Sequence, residues 1–184
     1  RFSLKRLYRG QDQEKLFALY LGKINFPGLK LDQDQRWSVL TKLSSLNFKK
    51  IDFEKNIENE KKIDPSSRGV NSAFVLEAIQ PNAEIKSKWF QLFTHPKESK
   101  LSTSTLRLVS YNLFPIYQKE LQLPFIKPYF DALNNFEAVD DENYLDGFAK
   151  SLVPDFCSTE SKQLLSKFVN SHSKLPASIK KILG

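Results

Sequence analysis

The chain has 184 residues and a mass of 21.3 kDa, enough for one domain with a hydrophobic core. Hydrophobic residues make up 40% and charged residues 27%, which argues against general disorder, and only 6 glycines argue against an all-β fold rich in tight turns. The net charge of +7 permits a nucleic-acid or anionic-membrane partner, but acidic residues are interspersed with the basic ones almost throughout. We therefore expect a basic surface that serves solubility, with no nucleic-acid and no membrane partner.

Apolar residues recur at helical spacing along nearly the whole chain. Gly22 is the expected stop of the first helix, Asn82 is the expected cap of the fourth, and Pro128 fits the first turn of the sixth. In chain order the predicted helices fall within residues 12–23, 37–46, 70–79, 82–90, 102–113, 123–133, 142–152, 158–170 and 175–183. In the last two of these, Ser158 or Thr159 is the expected cap and Pro176 the expected start.

Short helices joined by short polar links favour antiparallel pairs that stack side by side. We predict an all-α fold of about nine or ten helices, arranged as a HEAT- or armadillo-like α-solenoid layer with degenerate repeats. No link is long enough to divide the chain, so we predict one domain over residues 1–184. Because the chain starts at Arg1 and contains no methionine, we expect it to be a fragment of a longer chain.

Residues that commonly carry catalysis or bind metal are sparse. Cys157 is the single cysteine, which excludes an internal disulfide and favours a reducing, cytoplasmic location. His95 lies in a loop and His172 follows a helix, and neither belongs to an H-E-x-x-H pair. The acidic run at Asp140, Asp141 and Glu142 lacks the spacing of a calcium loop and suits a helix N-terminus. We predict no catalytic residue and no metal site in this chain.

The segment GLKLDQDQRWSVL, residues 28–40, concentrates polar chemistry just before an apolar run. A catalytic dyad, a metal site and a helix start are all possible interpretations. Asp32 or Asp34 fits a helix N-cap, and Arg36 could pair with either carboxylate or with a partner elsewhere. Trp37 would begin the buried stripe. The helix start explains most of the pattern, and the alternative is that Arg36 faces a functional cavity.

These residues also resemble a known family. The segment from Gly28 to Leu46 is similar to a G-L-x-x-D-x-D-x-R-W motif in the C-terminal helical domain of bacterial aminopeptidase N, a zinc-dependent family whose C-terminal domain is like that of the endoplasmic-reticulum aminopeptidases. Three further segments resemble the family in the same order, and Val153 departs from it where phenylalanine is usual. The family-motif positions are Asp32, Asp34, Trp37, Pro81, Lys86, Trp89, Pro115, Gln118, Pro124 and Tyr129.

The resemblance implies a lid rather than a catalyst. In the family, the zinc ligands and the H-E-x-x-H base lie in an upstream catalytic domain of the same polypeptide, and the C-terminal domain encloses the active-site chamber and limits entry to peptides. It implies that this chain alone binds no zinc, has no cofactor and hydrolyses nothing, and that its partners are the catalytic domain and peptide substrates. Arg36 is the candidate for contacting a substrate, since a guanidinium suits the terminal carboxylate of a peptide.

Two other functions remain open from the sequence. A free-standing helical-repeat module could bind a protein or peptide in its groove with no peptidase attached. A helical nucleic-acid binder could use the last stretch, residues 161–184, which contains five lysines and no acidic residue.

Overall fold

The computed structural model describes residues 10–135, 142–154, 159–171 and 177–183. Its contacts divide the chain into two compact units, Arg1–Ile85 and Lys86–Gly184. The helices are α1 (Gly10–Tyr20), α2 (Gln33–Ser45), α3 (Phe53–Ile63), α4 (Ser67–Ala78), α5 (Ala83–Thr94), α6 (Thr103–Ser110), α7 (Ile126–Asn135), α8 (Glu142–Leu152), α9 (Thr159–Ser171) and α10 (Ala177–Leu183), with a 3₁₀ helix at Ile116–Phe125 between α6 and α7.

The predicted all-α class is confirmed, with helices packed in pairs. Over the ranges that the structure describes there is no strand, and a single isolated bridge joins Phe26 and Leu29. The boundary between the two units falls within α5. Each unit is compact by itself. One domain over residues 1–184 therefore stays a prediction.

The first unit is built around α2. This helix packs on α1 and α4, and α3 packs on α4. Leu40, Leu43 and Leu76 are fully buried at the centre of this core. The Ser44 hydroxyl donates a hydrogen bond of 3.0 Å to the Leu76 carbonyl, so this buried polar side chain at the α2–α4 contact is satisfied.

The first helix ends as the sequence predicts. α1 stops at Tyr20, and Gly22 two residues later has φ +69°, a left-handed conformation that glycine adopts without steric cost. Asn82 also caps α5 as expected, because its Oδ1 accepts hydrogen bonds from the backbone N–H groups of Glu84 and Ile85.

The second unit packs its aromatic residues between helices. α6 packs on α8, and α7 packs on α9. The rings of Tyr129 on α7 and Phe148 on α8 are stacked, with centroids 5.7 Å apart. The Tyr144 hydroxyl donates a 2.8 Å hydrogen bond to the Phe93 carbonyl, which connects α8 to α5.

Two elements were not predicted. α3 occupies residues 53–63, where the sequence analysis assigned no helix, and a 3₁₀ helix follows Pro115. The apolar stripe of α3 is short, since only Phe53 and Ile57 pack partly against the core and Glu60 takes the next place on that face. The predictions for Asp140, Asp141, Cys157, Ser158, His172 and Pro176 lie outside the described residues.

Candidate functional site

The start of α2 explains both aspartates of the segment 28–40. The Asp32 side chain accepts a 2.8 Å hydrogen bond from the Gln35 backbone N–H, and the Gln35 side chain accepts a 3.0 Å bond from the Asp32 N–H. This reciprocal capping box confirms Asp32 as the N-cap. Asp34 lies in the first turn of the helix and forms an exposed ion pair of 2.6 Å with Arg68.

Arg36 pairs with a carboxylate that the sequence analysis did not identify. Its Nε lies 3.0 and 3.1 Å from the two carboxylate oxygens of Glu60, and its Nη2 also bonds Glu60. Its Nη1 donates a 3.3 Å bond to the Tyr20 carbonyl, and the guanidinium lies 4.5 Å from the centre of the Tyr20 ring. The Arg36 side chain is 28% exposed and that of Glu60 is fully buried. Hydrogen bonding to Glu60 raises the pKa of Arg36 above its ordinary value.

Glu60 is the centre of this cluster. Besides Arg36, it accepts hydrogen bonds from the Tyr20 hydroxyl at 2.8 Å and from Gln33 Nε2 at 2.6 Å. Burial by itself would raise the pKa of the Glu60 carboxyl, but the bonds from Arg36, Gln33 and Tyr20 outweigh it, and the pKa lies below its ordinary value. Burial and the neighbouring carboxylate raise the pKa of Tyr20. The cluster joins α1, α2 and α3 through one satisfied charge.

A signal for Glu60 is present in the sequence. Phe53, Ile57 and Glu60 follow one another at spacings of four and three residues, so they share one face of a helix. A carboxylate on the apolar face of a short helix requires a partner when it is buried. The partner, however, comes from another helix, and no local pattern identifies it.

Trp37 and the turn after α3 fix the C-terminal end of α3. The Trp37 indole N–H donates a 3.1 Å hydrogen bond to Asp64, and the Ser66 hydroxyl and N–H also donate to this carboxylate. Hydrogen bonds from Ser66 and Trp37 lower the pKa of Asp64. Gly69 lies against the same turn, and a Cβ at Gly69 would lie 2.1 Å from the Asp64 carbonyl oxygen. The two helices α3 and α4 are therefore held close together at this end.

Lys86 is a second buried charge, in the other unit. It is fully buried on α5, and its Nζ donates a hydrogen bond to the Leu113 carbonyl. Burial lowers the pKa of Lys86 to about 7. Trp89, one turn further along α5, is 1% exposed and packs against Phe93 with ring centroids 5.9 Å apart. Both residues pack in the interior.

The remaining family-motif positions lie at element ends or in the core. Pro81 precedes α5, Pro115 stands immediately before the 3₁₀ helix, and Pro124 lies within it. Gln118 is buried and its backbone N–H bonds the Pro115 carbonyl at 2.7 Å. The Tyr129 hydroxyl donates a 3.0 Å bond to the Ala149 carbonyl, and burial raises its pKa.

Among the surface grooves that the described residues line, two of similar volume lie one in each unit. The first, the α3–α4 groove, has a volume of about 780 Å³ and is lined by residues of α3 and α4 with Gln80 and Ile85. The second, the α5–α7 groove, has a volume of about 760 Å³ and is lined by the end of α5, the loop that contains His95, and the start of α7. His95 itself is exposed and lies within hydrogen-bond distance of Thr94 and the Gln91 carbonyl.

The described residues do not fit a zinc site. In the four ranges given above, no three His, Cys, Asp or Glu side chains are grouped so that they could hold a metal ion. None of the helices described is long and apolar enough to span a bilayer.

The described helices pack together through apolar contacts and buried hydrogen bonds, as in a helical domain. Comparison with known proteins identifies the family of this domain. The chain matches the family described as the ERAP1-like C-terminal domain over residues 10–183. It therefore belongs to this family of C-terminal helical domains related to aminopeptidases. A search among curated proteins found no match. The relationship to C-terminal domains of the aminopeptidases that was expected from the four sequence segments is thus confirmed, and the bacterial aminopeptidase N type stays a prediction.

Proposed function

We propose that this chain is the C-terminal lid domain of a zinc-dependent aminopeptidase N of the bacterial type. It encloses the active-site chamber, limits access to peptide substrates and is not catalytic alone. The observation that supports the proposal is the family match, which covers residues 10–183 of the 184.

The described residues are better suited to enclosing a chamber than to catalysing a reaction. The buried charged groups, Glu60 and Lys86, are held by hydrogen bonds inside their own units. A closed chamber excludes water and competing substrates, and it needs side chains that keep their positions while a peptide enters. Fixed polar contacts between helices provide that rigidity.

In this proposal zinc belongs to the upstream catalytic domain of the same polypeptide. The resemblance to aminopeptidase N implies metal ligands in that domain, and the described residues of this chain offer no three grouped ligands. The partners proposed are that catalytic domain and peptide substrates, in the cytoplasm, with no nucleic acid and no membrane.

Arg36 is retained as the proposed contact to the terminal carboxylate of a peptide. Glu60 already balances its charge, so Arg36 would offer hydrogen-bond donors rather than an uncompensated positive charge. The contribution of this residue to peptide affinity would accordingly be small.

The native protein provides the test. An antibody raised against this chain would capture the protein from its source cells, and its intact mass, zinc content and hydrolysis of an alanine or leucine anilide would be measured. The proposal expects a species several times larger than 21.3 kDa, with about one zinc ion per chain and activity lost to a chelator. A zinc-free, inactive protein near 21.3 kDa would overturn it and favour the free-standing peptide-binding module.

A further inference from the structure

The α3–α4 groove lies between two helices and has an apolar floor. Phe53 and Ile57 of α3 and Val70 and Phe74 of α4 line it, with Ile85 beyond the end of α4. All five side chains are half-buried, so each presents part of its apolar surface to solvent. Covering such a surface with another apolar group is favourable, because it removes apolar area from water.

The rim of the groove has a charge opposite to that of the chain. Asp52, Glu54, Glu58 and Glu77 contribute carboxylates, and Lys61 contributes the one ammonium group. Lys61 pairs with Glu58 at 2.9 Å, which offsets one of the four carboxylates and leaves the lining with an excess of negative charge. The whole chain has 28 Lys and Arg against 21 Asp and Glu. A groove rimmed by negative charge attracts positively charged ligands and repels acidic ones.

We infer that the α3–α4 groove binds a short peptide segment that carries apolar residues flanked by lysine or arginine. The apolar side chains would cover Phe53, Ile57 and Phe74, and the cationic groups would lie against Glu54, Glu58 and Glu77. The inference names the class of peptide that the proposed lid would contact, and to that extent it rests on the proposed function.

The dimensions indicate a short occupant. The 11 residues of α3 extend over about 16 Å, which an extended peptide of about five residues spans. The groove volume of about 780 Å³ lies in the usual range of ligand sites. The turn at Asp64 and Gly69 and the Glu60 cluster hold α3 in place, so the groove is formed before a peptide arrives.

The α5–α7 groove is similar in volume and lacks this charge signature. Its lining includes Lys97, Glu98 and Asp131, and Asp131 is paired with Lys127 at 2.6 Å. Its charges are therefore mixed, and it offers a natural comparison within the same chain.

The test is a binding measurement on the 184-residue chain, whose helical content is first checked by circular dichroism. The probe is a fluorescently labelled peptide of about seven residues with two leucines, one phenylalanine and two lysines. A matched probe has glutamates in place of the lysines. Fluorescence anisotropy would be followed at about 50 mM and about 500 mM NaCl, because exposed charge pairs are screened by salt.

The inference expects the lysine peptide to bind at least about tenfold more tightly than the glutamate peptide at low salt, with a smaller ratio at high salt. The double variant Glu54→Gln with Glu58→Gln should weaken the lysine peptide about three- to tenfold. The control is Glu98→Gln with Glu120→Gln, which makes the same change of charge at exposed positions that do not line this groove. It should leave the affinity within about twofold.

Equal binding of the two peptides, no binding by the helical chain, or equal losses in the two double variants would each overturn the inference. These outcomes do not involve zinc or hydrolysis, so they are distinguishable from a failure of the proposed function. Conversely, if the chain binds the lysine peptide but the native protein contains no zinc, the peptide-binding groove would be supported and the proposed lid function would be rejected.

Discussion

Replacing Glu60 with glutamine removes the charge at the centre of the α1–α2–α3 cluster while preserving the shape of the side chain. The carboxylate accepts bonds from Tyr20, Gln33 and Arg36, and it is fully buried. A glutamine amide would place N–H groups where some of these donors now point. Breaking a buried ion pair typically costs 3–5 kcal/mol, and the partial exposure of Arg36 lowers that cost, so we expect a loss of about 2–3 kcal/mol in the free energy of unfolding.

Urea unfolding followed by circular dichroism would measure this loss, with an expected fall of about 1 M in the midpoint. Glu58→Gln is the matched control, since it makes the same chemical change two residues earlier at an exposed position, and it should alter the stability by less than about 0.5 kcal/mol. If Glu60→Gln were as mild as Glu58→Gln, the cluster would not stabilise the first unit and the reasoning would be refuted.

The same variant has a predicted pH dependence. The pKa of Glu60 is lowered in the folded protein, so its contribution is present above the ordinary value of 4.5 and is lost as the pH falls through the lowered pKa. The stability difference between the natural protein and Glu60→Gln should therefore be largest near neutral pH and shrink below about pH 4. A difference that stays constant from neutral to acid pH would contradict the assignment.

Two other predictions concern the cap of α2 and the buried lysine. Asp32→Ala removes the capping bond that the Asp32 side chain accepts from the Gln35 N–H and should cost about 1 kcal/mol. Asp34→Ala loses an exposed ion pair and should cost less than about 0.5 kcal/mol. Thermal unfolding distinguishes the two variants, and equal costs would contradict the cap. Because Lys86 has a pKa of about 7 in the folded protein against 10.5 ordinarily, the unfolded chain binds an extra proton between these values. The natural protein should thus gain about 1 kcal/mol per pH unit over Lys86→Met as the pH rises from about 7 to about 9, measured by urea unfolding, and a pH-independent difference would show that the amine titrates normally.

Features with local causes could be predicted from the sequence. Asp32 caps α2 through a residue three positions away, and Gly22 ends α1 through its own backbone conformation. Asn82 likewise bonds N–H groups of the next turn. Each of these signals lies within a few residues of the feature that it determines, which is why helix starts and stops were recognised.

Features with distant partners could not. Arg36 was recognised as a residue that needs a partner, but that partner, Glu60, is 24 positions away on a helix that the sequence analysis did not assign. The Leu113 carbonyl, which accepts from Lys86, is 27 positions distant. The acidic rim of the α3–α4 groove also depends on packing, because Glu54 and Glu77 become neighbours of one groove only when α3 and α4 are paired.

The most direct test of the lid is to compare substrates of different size on the full-length native protein. A short peptide and a stably folded protein with the same N-terminal residues would be incubated with it, and release of the first amino acid would be measured by mass spectrometry. The proposal predicts rapid release from the peptide and none from the folded protein, because the chamber that the lid encloses admits peptides only. Equal rates of release from both substrates, or no release from the peptide, would contradict it.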